Sequence, residues 1–227
     1  MYSILIEDLI NDSTKIVQNI FKKCPRNKKS IASCCLPEVD FQKMMRKRML
    51  PTRFFQSVLV LKNVKRAGWV SKVRVNNPES VADHTYSMCA MCMVLSDMLR
   101  LDTQRVMKMV ILHDLAESIT GDYIPGEISK KQKLLQEKKA INSILYCLPT
   151  DIRSDYKKIW QEYISNKTDI ARFVHRIDKL EMMLQAKLYA KQGYSHKLLA
   201  QFFNSADKYL SINKYDLMNL QALINTI

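Results

Sequence analysis

Apolar residues in this chain recur every three or four positions, the spacing of one helix face, and no segment reads convincingly as a strand. Near the start, Ile6, Leu9, Ile10, Ile16, Val17 and Ile20 predict a short amphipathic helix over residues 3–21. Residues 24–40 read as loop. From Phe54 onward the chain becomes a succession of helices. The first is predicted from Phe54 to about Arg66, with Gly68 as its stop. Residues 69–80 form a loop with a turn signal at Asn77-Pro78. A helix over 81–100 follows. Asp102 can cap the next, which the apolar run carries past His113 to about Ser118. Ser129 caps a charged helix to about Leu145, and Pro149-Thr150-Asp151 starts another to about Ser165. Thr168-Asp169 opens a long helix to about Gln192, closed by Gly193. Short helices are expected around 196–210 and 214–225. These elements predict an all-α bundle over residues 53–227, preceded by an N-terminal extension, residues 1–52.

Composition agrees. Four glycines and six prolines in 227 residues favour helices over tight-turned sheets. A hydrophobic content of 47% supports a proper core in one domain. Residues 1–52 stand apart. They hold Pro25, Pro37, Pro51, the adjacent Cys34-Cys35 and basic clusters around Lys22, Lys28 and Arg46. The formal charge of +14 would draw polyanions. Base-stacking aromatics are sparse around the basic clusters, so nucleic acid is not the expected partner. The same field would draw a nucleotide phosphate inward.

No stretch approaches the ~20 apolar residues that cross a bilayer. Glu7-Asp8 interrupts the first apolar run where a signal peptide would continue it. Six cysteines show no disulfide framework. Cys89 and Cys92 lie in a helical run without a second pair at finger spacing, and are expected as small buried hydrophobes. An intracellular, cytoplasmic protein without a membrane segment is expected.

The chemistry begins inside an apolar run. From Val110 to Ala116 only His113 and Asp114 are polar. A carboxylate buried in such a run needs a partner, and a metal ion is one. Two further candidate ligands lie on other helices: His84 near the start of the 81–100 helix, and Asp178 in the middle of the long one. Only a helical bundle brings such residues to one point. Two imidazoles and two carboxylates suit a divalent cation, Mn²⁺ or Co²⁺, with Fe²⁺, Zn²⁺ and Mg²⁺ also open. The lack of thiolates argues against a structural zinc site. A bound ion would activate water and polarise a phosphoryl oxygen. Glu117 falls one helical turn after His113, on the same face, where it could orient water or carry a proton. Asp122 follows Gly121, where a loop could return its carboxylate to the site.

The set His84, His113-Asp114, Asp178 resembles the H…HD…D pattern of the HD-domain metal-dependent phosphohydrolases. Over residues of about 54–190 the chain is similar to the HD-domain 5'-deoxynucleotidases. The matching stretches are Leu61 to Trp69, Pro78 to His84, His113 to Asp122 and Phe173 to Ala186. The resemblance implies an HD fold, a divalent metal, a homodimer, and hydrolysis of deoxynucleoside 5'-monophosphates to deoxynucleoside and phosphate. It implies that His84, His113, Asp114 and Asp178 hold the metal, while Glu117 and Asp122 manage water and leaving-group protons. Arg66 and Trp69 resemble the pair that meets the phosphate and crowds the sugar 2' position in bacterial members. There the two are adjacent; here Ala67-Gly68 lies between them. Core packing is the alternative for Trp69. Glu79 and Ser80 belong to the family's substrate loop.

Two other functions compete. One keeps the fold but changes the substrate, as in a phosphodiesterase or a hydrolase of another phosphorylated nucleotide. The other is a basic helical module that binds nucleic acid. A module of that kind has no need for the full ligand set, which this chain keeps.

Overall fold

The computed structural model describes residues 51–124 and 126–210, and side chains up to residue 206. The helices expected over 3–21 and 214–225, and the basic clusters before residue 51, lie outside them. Among the described residues the elements are α1 (Thr52–Val60), a π turn (Trp69–Val73), α2 (Val81–Met98), α3 (Thr103–His113), α4 (Glu117–Thr120), α5 (Lys130–Leu145), α6 (Thr150–Ser165), α7 (Asp169–Lys191) and α8 (His196–Leu210). The fold is all-α. The isolated bridge between Lys65 and Ser80 is too short to make a strand.

Most helix starts follow from local chemistry. Ser80, Asp102, Ser129 and Thr168 each accept a first-turn backbone N–H at the head of α2, α3, α5 and α7. Ser80 with Asp83, and Ser129 with Gln132, close reciprocal capping boxes. Gly193 follows α7 with φ of 93°, a conformation that suits glycine.

Two boundaries differ from expectation. α1 stops at Val60 rather than near Arg66. The chain then bends across the head of α2. Its carbonyls at Val64 and Leu61 accept the Val81 and Ala82 N–H groups at 2.8 and 3.3 Å. The segment is used to satisfy another helix's unpaired donors, a need its own sequence cannot show. Gly68 is therefore not a helix stop. It has φ of −59° at the head of the π turn, and an added Cβ would lie 3.3 Å from Phe202 Cε1. Glycine serves close packing there.

The second difference is in α3, which ends at His113 instead of continuing to Ser118. Asp114 has left α geometry, with φ −106° and ψ 9°. The Glu117 N–H then reaches back only three residues, to the Asp114 carbonyl at 3.0 Å. Glu117 thus starts a new short helix and does not stand over His113 by α-helical spacing. Gly121, at φ 74°, releases the chain toward Asp122.

Helices α2, α3, α6 and α7 pack on one another, with α8 against α7. Met88, Cys92, Met109, Leu112, Ile159, Val174, Ile177 and Leu180 are fully or nearly fully buried between them. Burying such side chains contributes about 1.5–3 kcal/mol each. This apolar mass surrounds the buried polar residues of the candidate site, His84, His113, Glu117, Asp178 and Glu181.

Candidate metal centre and active site

His84 and His113 face each other with ring centroids 5.6 Å apart. His84 is on the first turn of α2, placed by the Ser80 capping box, and His113 is the last residue of α3. Each ring is held from behind. His84 Nδ1 is 2.5 Å from Glu181 Oε2 on α7. His113 Nδ1 is 2.6 Å from the Val110 carbonyl, which accepts its N–H. With Nδ1 bound in this way, both Nε2 atoms are buried and have no hydrogen-bond partner.

Asp178 of α7 completes a triad: one ligand atom from each of His84, His113 and Asp178 fits within a mutual 4.8 Å. Asp178 Oδ1 is 3.4 Å from His84 Nε2. Asp114 Oδ2 lies 3.0 Å from His113 Nε2 and 3.9 Å from His84 Nε2, the former out of hydrogen-bond alignment. Burial opposes ionisation of both aspartates. His113 and Arg66 overcome it at Asp114, and Lys179 and His84 at Asp178, so both carboxyls are held below the usual range. Two orphaned imidazole nitrogens facing two ionised carboxylates form a donor set that fits a divalent cation.

Beside it lies a second acidic group with the opposite tendency. Glu117 is 3% exposed, and its Oε2 has no partner. Burial, then the charges of Asp114 and Asp122, push its carboxyl well up. Lys133 of α5 opposes this from 3.7 Å. Asp122 faces elsewhere for its hydrogen bond: Oδ2 accepts the Ala67 N–H at 2.8 Å and ties the 61–68 segment to the site.

Arg66 is carried on that segment. Its Nη1 is 3.4 Å from Asp114 Oδ2, and the surrounding carboxylates raise its affinity for its proton despite burial. Trp69 is 1% exposed. Its ring packs on Phe202 at 4.1 Å and edge-on to Tyr189 at 5.2 Å, and its indole N–H donates to Glu79 Oε1 at 2.7 Å. These are contacts of a packed wall. Glu79 lies between Trp69 and the His84–Glu181 pair. Burial and Glu181 push its carboxyl up to about 7. Ser80 is 2% exposed and serves as the α2 cap.

Sequence reasoning missed Glu181, Lys133 and Tyr163. Glu181 stands one turn after Asp178 in an apolar stretch, a visible signal. Lys133 is one of several lysines in α5 and carries no signal of its own. Tyr163 packs edge-on to His113 at 5.5 Å and stacks on His175 at 4.0 Å, backing the His113 ring from α6. That contact is tertiary.

A helical bundle with this buried histidine–aspartate centre is what the HD domain provides, and residues 58–215 match that domain. The chain belongs to the HD-domain family. Within it, the chain is 39% identical over 154 residues to the 5'-deoxynucleotidase HDDC2 of Mus musculus, covering 67% of this chain and 76% of that protein. It is 40% identical over 163 residues to the 5'-deoxynucleotidase HDDC2 of Dictyostelium discoideum, covering 67% and 85%. Among solved structures it is similar to a conserved hypothetical protein from Pyrococcus furiosus, with TM-score 0.63, 28% identity, and coverage of 76% of this chain and 96% of that one.

Proposed function

We propose that the chain is a metal-dependent 5'-deoxynucleotidase that converts a deoxynucleoside 5'-monophosphate and water to deoxynucleoside and phosphate. The observation that carries this is the pair of buried, unpartnered Nε2 atoms of His84 and His113 beside Asp114 and Asp178. The substrate class is supported by the names of the HD-domain relatives. Residues 53–227 form the HD domain in this reading, with 1–52 as an appendage.

His84, His113, Asp114 and Asp178 would hold the ion, with Mn²⁺ or Co²⁺ the first candidates. When bound, such an ion polarises a phosphoryl oxygen and makes water a better nucleophile. Glu117, buried and protonated more readily than its neighbours, gives its proton to the leaving 5'-oxygen. Asp122 keeps Arg66 in place through the Ala67 N–H, and Arg66 meets the phosphate. Glu79, Ser80 and Trp69 shape the sugar end of the cleft. Trp69 acts as the wall behind this loop, and the 2' position is selected by shape.

The reading includes a homodimer inside the cell. Exposed apolar residues on α1 (Phe55, Leu59) and α2 (Met93, Val94, Met98) support self-association. No described helix is long and apolar enough to cross a membrane.

The test is phosphate release from a panel of deoxy- and ribonucleoside monophosphates after chelation and reloading with each ion. Restored, deoxy-selective release supports the reading. Cleavage of phosphodiesters alone, or release indifferent to chelation, rejects it.

A further inference from the structure

Among the described residues, Arg66, Lys179 and Lys133 border the carboxylate cluster, and they differ in what holds them. The Arg66 guanidinium is 3.4 Å from Asp114 and its side chain is 16% exposed. Lys179 Nζ is 2.8 Å from Asp178 Oδ2 and 24% exposed. Lys133 is 35% exposed, with Nζ 3.7 Å from Glu117 Oε1 and 3.5 Å from Glu137 Oε1. Neither Lys133 distance is a short hydrogen bond, whereas the Lys179 distance is. Lys133 therefore combines the greatest access to solvent with the loosest grip by its neighbours.

Its place is built. The Ser129–Gln132 capping box fixes the first turn of α5, from which Lys133 projects beside α4 and Glu117. Glu137 follows one turn later on the same helix and is a second carboxylate beside the ammonium, at 3.5 Å. A lysine with a flexible stem and a compact charge can shift by an ångström or so to a phosphate without breaking a fixed fork, as an arginine cannot. A doubly charged phosphate approaching the carboxylates of Asp114 and Asp178 also gains from a cation on its way in.

Building on the proposed nucleotidase reading, we propose that Lys133 is a substrate-binding residue that receives the phosphate at the mouth of the site, held over it by Glu137. Deoxynucleotide phosphate meets Nζ first as it enters, before it reaches Arg66, which lies deeper beside Asp114.

The test uses the full chain, metal-loaded, with Lys133→Met, Lys133→Arg and Glu137→Gln. Lys133→Met should raise KM for the deoxynucleotide roughly tenfold to a hundredfold, with kcat within a few-fold. The inhibition constant for inorganic phosphate should rise in parallel. That for the deoxynucleoside product should not. Lys133→Arg should restore most of the loss, and Glu137→Gln should give a smaller KM increase of the same pattern. Unchanged phosphate inhibition in Lys133→Met overturns the inference, as does a fall in kcat at constant KM. If the wild type hydrolyses no deoxynucleotide, the nucleotidase reading fails instead. Calorimetry with inorganic phosphate then still decides for Lys133: weaker binding to Lys133→Met than to wild type sustains the inference, and equal binding ends it.

Discussion

The metal end and the mouth of the site are built on different rules. At the metal end, His84, His113 and Asp178 come from three long helices, and none is more than 7% exposed. Each imidazole is fixed by one short contact behind it, Glu181 for His84 and the Val110 carbonyl for His113. At the mouth, Glu117 belongs to the four-residue α4, Asp122 to a loop and Lys133 to the first turn of α5. Lys133 Nζ stands 3.7 Å from Glu117 Oε1 and 3.5 Å from Glu137 Oε1. The difference teaches that His84, His113 and Asp178 rest on packed helices, while Asp114, Glu117 and Asp122 sit where α3 has broken and the chain turns, and Lys133 stands on the first turn of α5. Coordination tolerates little displacement, and groups that move protons or greet a ligand need some freedom.

The largest break in this contrast should come from the metal end. His113→Ala removes a proposed metal ligand and is expected to abolish both bound metal and activity. Elemental analysis of protein purified without chelator should read near zero for the variant. Unchanged metal content would remove His113 from the ligand set. The mouth should behave differently. Glu117→Gln is expected to keep the metal and lose about 10²–10⁴-fold in kcat, the usual contribution of a positioned proton donor. Near wild-type turnover would take Glu117 out of the chemistry, and lost metal would move it into the ligand set.

Glu181→Gln sharpens the comparison from within the metal end, because Glu181 meets His84 at Nδ1, on the side away from the unpartnered Nε2. Metal affinity should fall about 10–100-fold, measured by competition with a chelator, while activity recovers at saturating metal. No change in affinity would mean that His84 is oriented by packing alone. The smallest effect is expected from Ser80→Ala. Loss of the α2 cap should cost about 1 kcal/mol and lower Tm by about 2–4 °C, read by calorimetry. The metal should stay, since the packed helix still carries His84. A large change in KM with unchanged Tm would instead give Ser80 a direct contact with substrate.

Much of this was legible because it is local. Capping residues announce helix starts within three or four positions, as Ser80, Asp102, Ser129 and Thr168 do. The helical period marks which faces are buried, and a histidine and an aspartate inside an apolar run stand out because unpaired charge does not belong there. Glu117 would stand one turn above His113 only if α3 continued past it, but the helix breaks at Asp114. Likewise Gly68 reads as a stop in sequence, yet its neighbour is Phe202, far along the chain.

By itself, then, the sequence determined the helical class, most helix starts, the ligand candidates and the family pattern that joins them. Only the tertiary structure decided that α1 stops early to cap α2, that Glu181 backs His84, that Asp122 anchors the Arg66 segment and that Lys133 stands beside Glu117. The reason is physical. Caps and periodicity act between residues a few positions apart, where chain connectivity fixes the distance. Hydrogen bonds and ion pairs between residues 97, 55 or 16 positions apart, such as His84–Glu181, Ala67–Asp122 and Glu117–Lys133, exist only once the helices have packed.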